Sequence, residues 1–204
     1  MSGYFSIFLV GFIISFIGSI PPGSINISVL QHALGGNFRA ALRFALAAAL
    51  VEYPYAYIAV RFEAWVTSSP YIIKNFHLIA ALVMLTLGIL NLWGAKQPNT
   101  RFEKLRASGF RKGMLISVLN PLSIPFWVGV TAYAKSMGWI QLNDGPAMLT
   151  YALGVSLGTF FLLLLIALLG KKIAFLFQKE SLVKVLPGIV FLILGLYSLY
   201  LYFT

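Results

Sequence analysis

Charge-free runs of membrane-spanning length dominate this sequence: several stretches of twenty or more residues contain no Asp, Glu, Lys or Arg. A helix needs about 20 apolar residues to cross a bilayer core, and inside that core the backbone must satisfy its own hydrogen bonds. The chain is therefore expected to be an all-α integral membrane protein. A barrel would show alternating segments of about ten residues instead. Only 10% of the 204 residues are charged, where soluble domains carry about 25%, which excludes a large soluble catalytic domain. The N-terminal MSGYFSIFLVGF lacks a basic region and a small-residue cleavage site, so it reads as mature helix rather than signal peptide.

Hydropathy predicts six transmembrane helices, at 4–34 with a break at Pro21-Pro22-Gly23, then 40–60, 72–94, 113–134, 146–169 and 185–203. Gly-, Pro- and Asn-containing connectors separate them, and none is long enough to be a domain. Twelve basic residues fall in loops one, three and five, and three (Arg61, Lys74, Lys135) on the opposite side. The positive-inside rule then puts the odd loops in the cytoplasm of a cell inner (plasma) membrane and both termini outside. Loop three also suits a short interfacial helix, with Phe102, Leu105 and Phe110 toward membrane lipids.

Net charge is +10, but the orientation rule already accounts for the basic residues, so no nucleic acid partner is expected. The absence of cysteine excludes disulfides and thiolate metal sites. With only His32 and His77 besides, neither a soft-metal site nor a cofactor is predicted.

The halves resemble one another. At an offset of 99, Pro22, Ser24 and Ile25 fall on Pro121, Ser123 and Ile124; at 107, Phe44-Ala45-Leu46 and Leu50 fall on Tyr151-Ala152-Leu153 and Leu157. The same 107 carries Leu85, Leu87-Gly88 and Leu92 onto Leu192, Leu194-Gly195 and Leu199. The expected organisation is an N-terminal three-helix repeat over 1–94, a basic cytoplasmic loop over 95–112 and a C-terminal repeat over 113–204. Three spans per repeat is an odd number, so the second repeat enters the membrane inverted.

Inverted repeats with matched helix interruptions point to a transporter with its solute site near the midplane. The interruptions here are Pro21-Pro22-Gly23, and Asn120-Pro121 followed by Pro125. Proline lacks an N–H donor and frees carbonyls one turn upstream. The half-helices restarting at Gly23-Ser24-Ile25 and at Ser123 present N–H groups and a positive dipole end, suited to a carboxylate. Ser24, Asn26, Asn120 and Ser123 add side-chain hydrogen bonds. A kink kept for packing alone is the competing reading.

Glu52 is the one acid well inside a predicted span, about 13 Å beyond Arg43 along a helix. Intramembrane acids are functional candidates by default, and this one is the candidate proton carrier. Tyr55 shares its face at i, i+3, and Thr159 is its repeat mate at offset 107. Gly154-x-x-x-Gly158 and the Ala41, Ala45, Ala49 stripe allow close helix contact, within one chain or in a homodimer.

SIPPGSINISVLQHALGGNFRAAL resembles the N-terminal signature of the lysine-exporter (LysE-type) amino-acid exporters. GMLISVLNPLSIPFWVGV is similar to the family's fourth-span element, an Asn-Pro followed by an aromatic pair. Family members usually read Pro-Gly-Pro where this chain has Pro22-Gly23-Ser24, and Gly-Asp where it has Val51-Glu52. The resemblance implies export of amino acids or similar small zwitterions, with Glu52 at the family's acidic position. Lacking a P-loop or ATPase domain, such an exporter would run as a secondary transporter on an ion gradient, with the proton as coupling ion. Export of another solute, such as an inorganic or metal ion, is the alternative. An intramembrane enzyme would need paired acids or a His–acid pair, which one buried acid does not supply, and a noncatalytic membrane subunit would show no solute-dependent behaviour.

Overall fold

A computed structural model describes residues 2–20, 23–68, 75–95, 109–120, 123–173 and 180–203. Every regular element among them is a helix: α1 (Ser2–Gly18), α2 (Ser24–Leu34), α3 (Phe38–Ser68), α4 (Phe76–Ala95), α5 (Gly109–Val118), α6 (Ser123–Ser136), α7 (Gly145–Ile173) and α8 (Glu180–Phe203). One of these, over Gly145–Lys172, is long and apolar enough by itself to cross a membrane, and α5 with α6 passes the same test as a pair bent by 65°.

Helix α1 ends at Gly18 and α2 begins at Ser24; α5 ends at Val118 and α6 begins at Ser123. Pro21, Pro22 and Pro121 lie outside the described residues. Pro125, expected at the second break, instead lies inside the first turn of α6. A first-turn N–H has no intrahelical acceptor, so proline costs no hydrogen bond there. Pro54 likewise lies within α3, which continues to Ser68.

The short helices α2 and α6 end in the same way. After α2, Asn37 N–H bonds back to His32 C=O while Gly36 takes φ +75; after α6, Trp139 N–H bonds back to Ala134 C=O while Gly138 takes φ +70. Both are left-handed glycine closures that satisfy terminal carbonyls. The long helices that follow also start alike. Asn37 Oδ1 accepts Ala40 N–H at 3.0 Å, and Asp144 Oδ1 accepts Ala147 N–H at 2.7 Å, side-chain caps of the usual polar type.

Two compact units arise, Met1–Glu63 with Arg101–Phe177 and Ala64–Thr100 with Gln178–Thr204, each drawing on both halves of the sequence. In the first, α7 lies against α1 with Gly154 and Gly158 at the contact. A β-carbon at Gly158 would collide with the Phe12 carbonyl, and one at Gly154 with that of Phe8. Gly11 lies against the Tyr151 carbonyl, and Gly113 of α5 against that of Phe44 in α3. Small residues set these backbone distances, as in membrane helix pairs. Large apolar side chains such as Leu46, Leu50, Leu153 and Leu168 remain exposed on α3 and α7, a surface suited to lipid rather than water. In the second unit α4 pairs with α8: Gly88 meets Leu192, and Gly195 meets Leu85.

Candidate functional site

Glu52 sits midway along α3 and is 8% exposed. Two donors of α6 divide its carboxylate: Trp127 Nε1–H reaches Oε2 at 2.6 Å and Ser123 Oγ–H reaches Oε1 at 3.2 Å. Ser123 Oγ also accepts Nδ2–H from Asn120 at 2.9 Å. Tyr55, less than a turn further along α3, donates its hydroxyl to the Val118 carbonyl at 2.6 Å. That carbonyl belongs to the last turn of α5, where no helical N–H remains to pair with it. Glu52, Tyr55, Asn120 and Ser123 thus gather at the gap between α5 and α6.

The chemistry of this set is asymmetric. Indole N–H can only donate, whereas a hydroxyl can donate or accept. Trp127 therefore holds one carboxylate oxygen in place in either protonation state. Ser123 can turn its hydroxyl to donate to a carboxylate or to accept from a carboxylic acid. Both protonation states of the acid can therefore be hydrogen-bonded in the same position.

A second polar group lies at the other break. Ser15 Oγ donates to the Val155 carbonyl at 2.7 Å and is hydrogen-bonded to Thr159 Oγ1 at 2.9 Å. Ser19 Oγ reaches the same Thr159 hydroxyl at 3.5 Å, and Asn26 Nδ2–H donates to the Ser19 carbonyl at 2.8 Å. Gly23 occupies the N-cap position of α2 with extended backbone and no side-chain cap bond. The Ser24 carbonyl accepts Ser28 Oγ–H at 2.7 Å, and Ile25 packs with the apolar cluster around Val29 and Phe44. The residues expected at one site thus form two groups, Thr159 and Asn26 in one and Glu52, Tyr55, Asn120 and Ser123 in the other. Between them, Ser156 Oγ–H donates to the Ala49 carbonyl at 2.7 Å, three residues before Thr159 and Glu52 on their respective helices.

Sequence reading missed Trp127 as a partner of Glu52, although it belongs to the aromatic pair Phe126-Trp127 that follows Asn120-Pro121. Ser15 and Ser19 carried no signal, because serine is unremarkable in an apolar helix until its neighbours are known. Glu63 was also missed. Span two was expected to end at 60, but α3 runs to Ser68; Arg61 is exposed while Glu63 turns inward and pairs with Lys135 at 2.7 Å.

Apolar outer faces, helices interrupted along their length and a buried acid at an interruption are together the marks of a membrane transport protein. The sequence profile of the LysE type translocators matches residues 16–202. The chain belongs to that family. It is also similar to the Bacillus subtilis (strain 168) "Putative amino acid efflux protein YcgF", with 26% identity over 159 residues that cover 75% of each chain. No solved structure matches it.

Proposed function

We propose that this translocator exports amino acids or similar small zwitterions by proton antiport across the cell inner membrane. The observation that carries the reading is Glu52, buried at the α5–α6 gap and held by Trp127 Nε1–H at 2.6 Å and Ser123 at 3.2 Å. Solute class and direction draw on the family and on the name of the B. subtilis relative.

In the proposed cycle Glu52 alternates between carrying a proton and facing the solute's ammonium group. The N-termini of α2 and α6 offer N–H groups and positive dipole ends to its carboxylate, from Gly23, Ser24 and Ile25 on one side and Ser123 on the other. Asn26, Asn120, Tyr55 and Thr159 supply the polar lining, and Pro121 the second break. Trp127 keeps the acid in register while the proton comes and goes.

The proposed frame is six spans in two inverted three-helix repeats, 1–94 and 113–204, joined by the basic loop 95–112. Its support lies in pairs of equivalent contacts. Ser156 bonds to Ala49, its own mate at offset 107, as expected for residues on a pseudo-two-fold axis. Gly88 meets Leu192 while Gly195 meets Leu85, one contact made twice with the repeats exchanged. The Asn37 and Asp144 caps obey the same offset. With the odd loops cytoplasmic by the positive-inside rule, both termini face outward.

The test is a panel of amino acids on reconstituted vesicles with an imposed pH gradient. Uphill movement of at least one amino acid, abolished when the gradient is collapsed, is the expected result. A panel on which the gradient has no effect would remove proton antiport from the reading.

A further inference from the structure

A second carboxylate lies on the same face of α3 as Glu52. Glu52, Ala56, Ala59 and Glu63 are spaced i, i+4, i+7 and i+11, one helix face; Glu63 lies about 16 Å beyond Glu52. On α6, Trp127, Thr131 and Lys135 follow at i, i+4 and i+8, again one face. The two faces are joined at both ends: Trp127 to Glu52 at 2.6 Å, and Lys135 Nζ–H to Glu63 Oε2 at 2.7 Å. Between the joints the space is filled. Ala56, Ala59, Val60, Trp127 and Tyr151 belong to one apolar cluster, and Thr131, fully buried, donates to the Tyr151 hydroxyl at 3.3 Å. Between α3 and α6, the way from Glu52 toward their C-terminal ends is filled by this packing and ends at the ion pair.

An ion pair is a poor choice if the only purpose is to hold two helices together. Glu63 is 3% exposed whereas the Lys135 side chain keeps 33% of its surface open, so a buried carboxylate, costly to bury, is held by a cation that a solute can reach. What a pair uniquely provides is two opposite charges that a third molecule can take over. An α-amino acid carries an ammonium and a carboxylate side by side. Its ammonium can replace Lys135 on Glu63 while its carboxylate replaces Glu63 on Lys135, so the pair parts without stranding a buried charge. A solute without an ammonium strips the buried Glu63 of its cation, the costly outcome, whereas one without a carboxylate leaves Lys135 in partly exposed surroundings at a smaller cost.

We propose that Glu63 and Lys135 form a second, zwitterion-recognising site that closes the pathway at the C-terminal ends of α3 and α6 and opens by exchanging partners with the solute. The site rests on the reading of the chain as a zwitterion exporter working through Glu52. Thr131 lies one turn inside it, and the sequence has no cysteine, so T131C places a single reporter thiol behind the gate. The full chain in vesicles is treated with a membrane-impermeant maleimide on the face where Lys135 lies. With the pair intact, T131C reacts slowly; zwitterionic amino acids accelerate it most, their amides less, and deaminated acids not at all. In E63Q/K135Q, which keeps a neutral hydrogen bond in place, the thiol reacts about tenfold faster without solute, as when a mostly closed equilibrium shifts toward open. The charge-swapped E63K/K135E restores slow reaction. Labelling of E63Q/K135Q at the parent rate, or acceleration by amides and acids as large as by zwitterions, overturns the site. Amino-acid flux in the same vesicles separates the two claims. Flux without charge-dependent labelling overturns the gate alone, and no flux with any amino acid overturns the exporter reading beneath it.

Discussion

Replacing Glu52 by Gln isolates the proton from every other property of the site. The amide has nearly the size of the carboxylate, and its oxygen can still accept from Trp127 Nε1–H while its NH2 donates to Ser123 Oγ. That hydroxyl already accepts from Asn120 and has a second lone pair for the purpose. The fold is therefore expected to survive, with a stability change within about 1–2 kcal/mol, the scale of one charge-assisted bond becoming neutral. The effect on coupling is of another order. One proton moving down a gradient of one pH unit releases about 1.36 kcal/mol, enough for a one-to-one antiporter to build about a tenfold solute ratio. E52Q has no proton to move at this position, so its steady-state ratio should fall to about one while exchange of labelled for unlabelled solute continues. The assay is solute accumulation in vesicles of matched protein content under an imposed pH gradient, with counterflow in the same preparation. A variant that still builds the tenfold ratio would show that the proton travels elsewhere.

Trp127→Phe keeps a ring in the apolar cluster but removes the Nε1–H held 2.6 Å from Glu52. Loss of a bond to a charged acceptor costs about 1.5–3 kcal/mol; an unchanged melting temperature in detergent together with unchanged transport would show that Trp127 only fills space. Gly158→Ala drives a β-carbon into the Phe12 carbonyl and to 2.8 Å from Ser15 Cβ, prising apart helices that Ser15 ties to Val155 and Thr159. Overpacking and the strained bonds together should cost about 2–4 kcal/mol, roughly 5–15 °C in thermal unfolding, and a shift below about 2 °C would contradict the close packing described. A reporter active only in the cytoplasm, fused after Thr204, should stay silent on the proposed orientation, which rests on twelve basic residues on one side against three on the other; strong activity from the full-length fusion reverses it.

Much of this was legible in one dimension because the membrane simplifies the code. Apolar length announces a helix that must satisfy its own backbone, and an acid such as Glu52 stands out against such a background without reference to its neighbours. The polar caps at Asn37 and Asp144 and the glycines at 36 and 138 are also local signals. Helix ends were harder. Arg61 suggested an exit from the membrane, yet α3 continues two turns further because Arg61 lies exposed while Glu63 turns inward to a partner. Pro125 read as a break and proved to be a first-turn residue, a distinction that depends on where the helix starts.

Residue order alone specifies long apolar helical segments, prolines within the first and fourth of them, residue matches at an offset of 107 and an isolated acid at position 52. Those follow from composition and spacing, which act over one or two helical turns. Tertiary structure alone decided that Glu52 shares Ser123 and Trp127, 71 and 75 residues away. It also assigned Thr159 to Ser15 and Ser19, and gave Lys135 to Glu63. Which donor meets which acceptor across a helix contact is set by how closely the backbones approach and how each helix is rotated. Glycines at 113, 154 and 158 govern that approach only through the residues they happen to face.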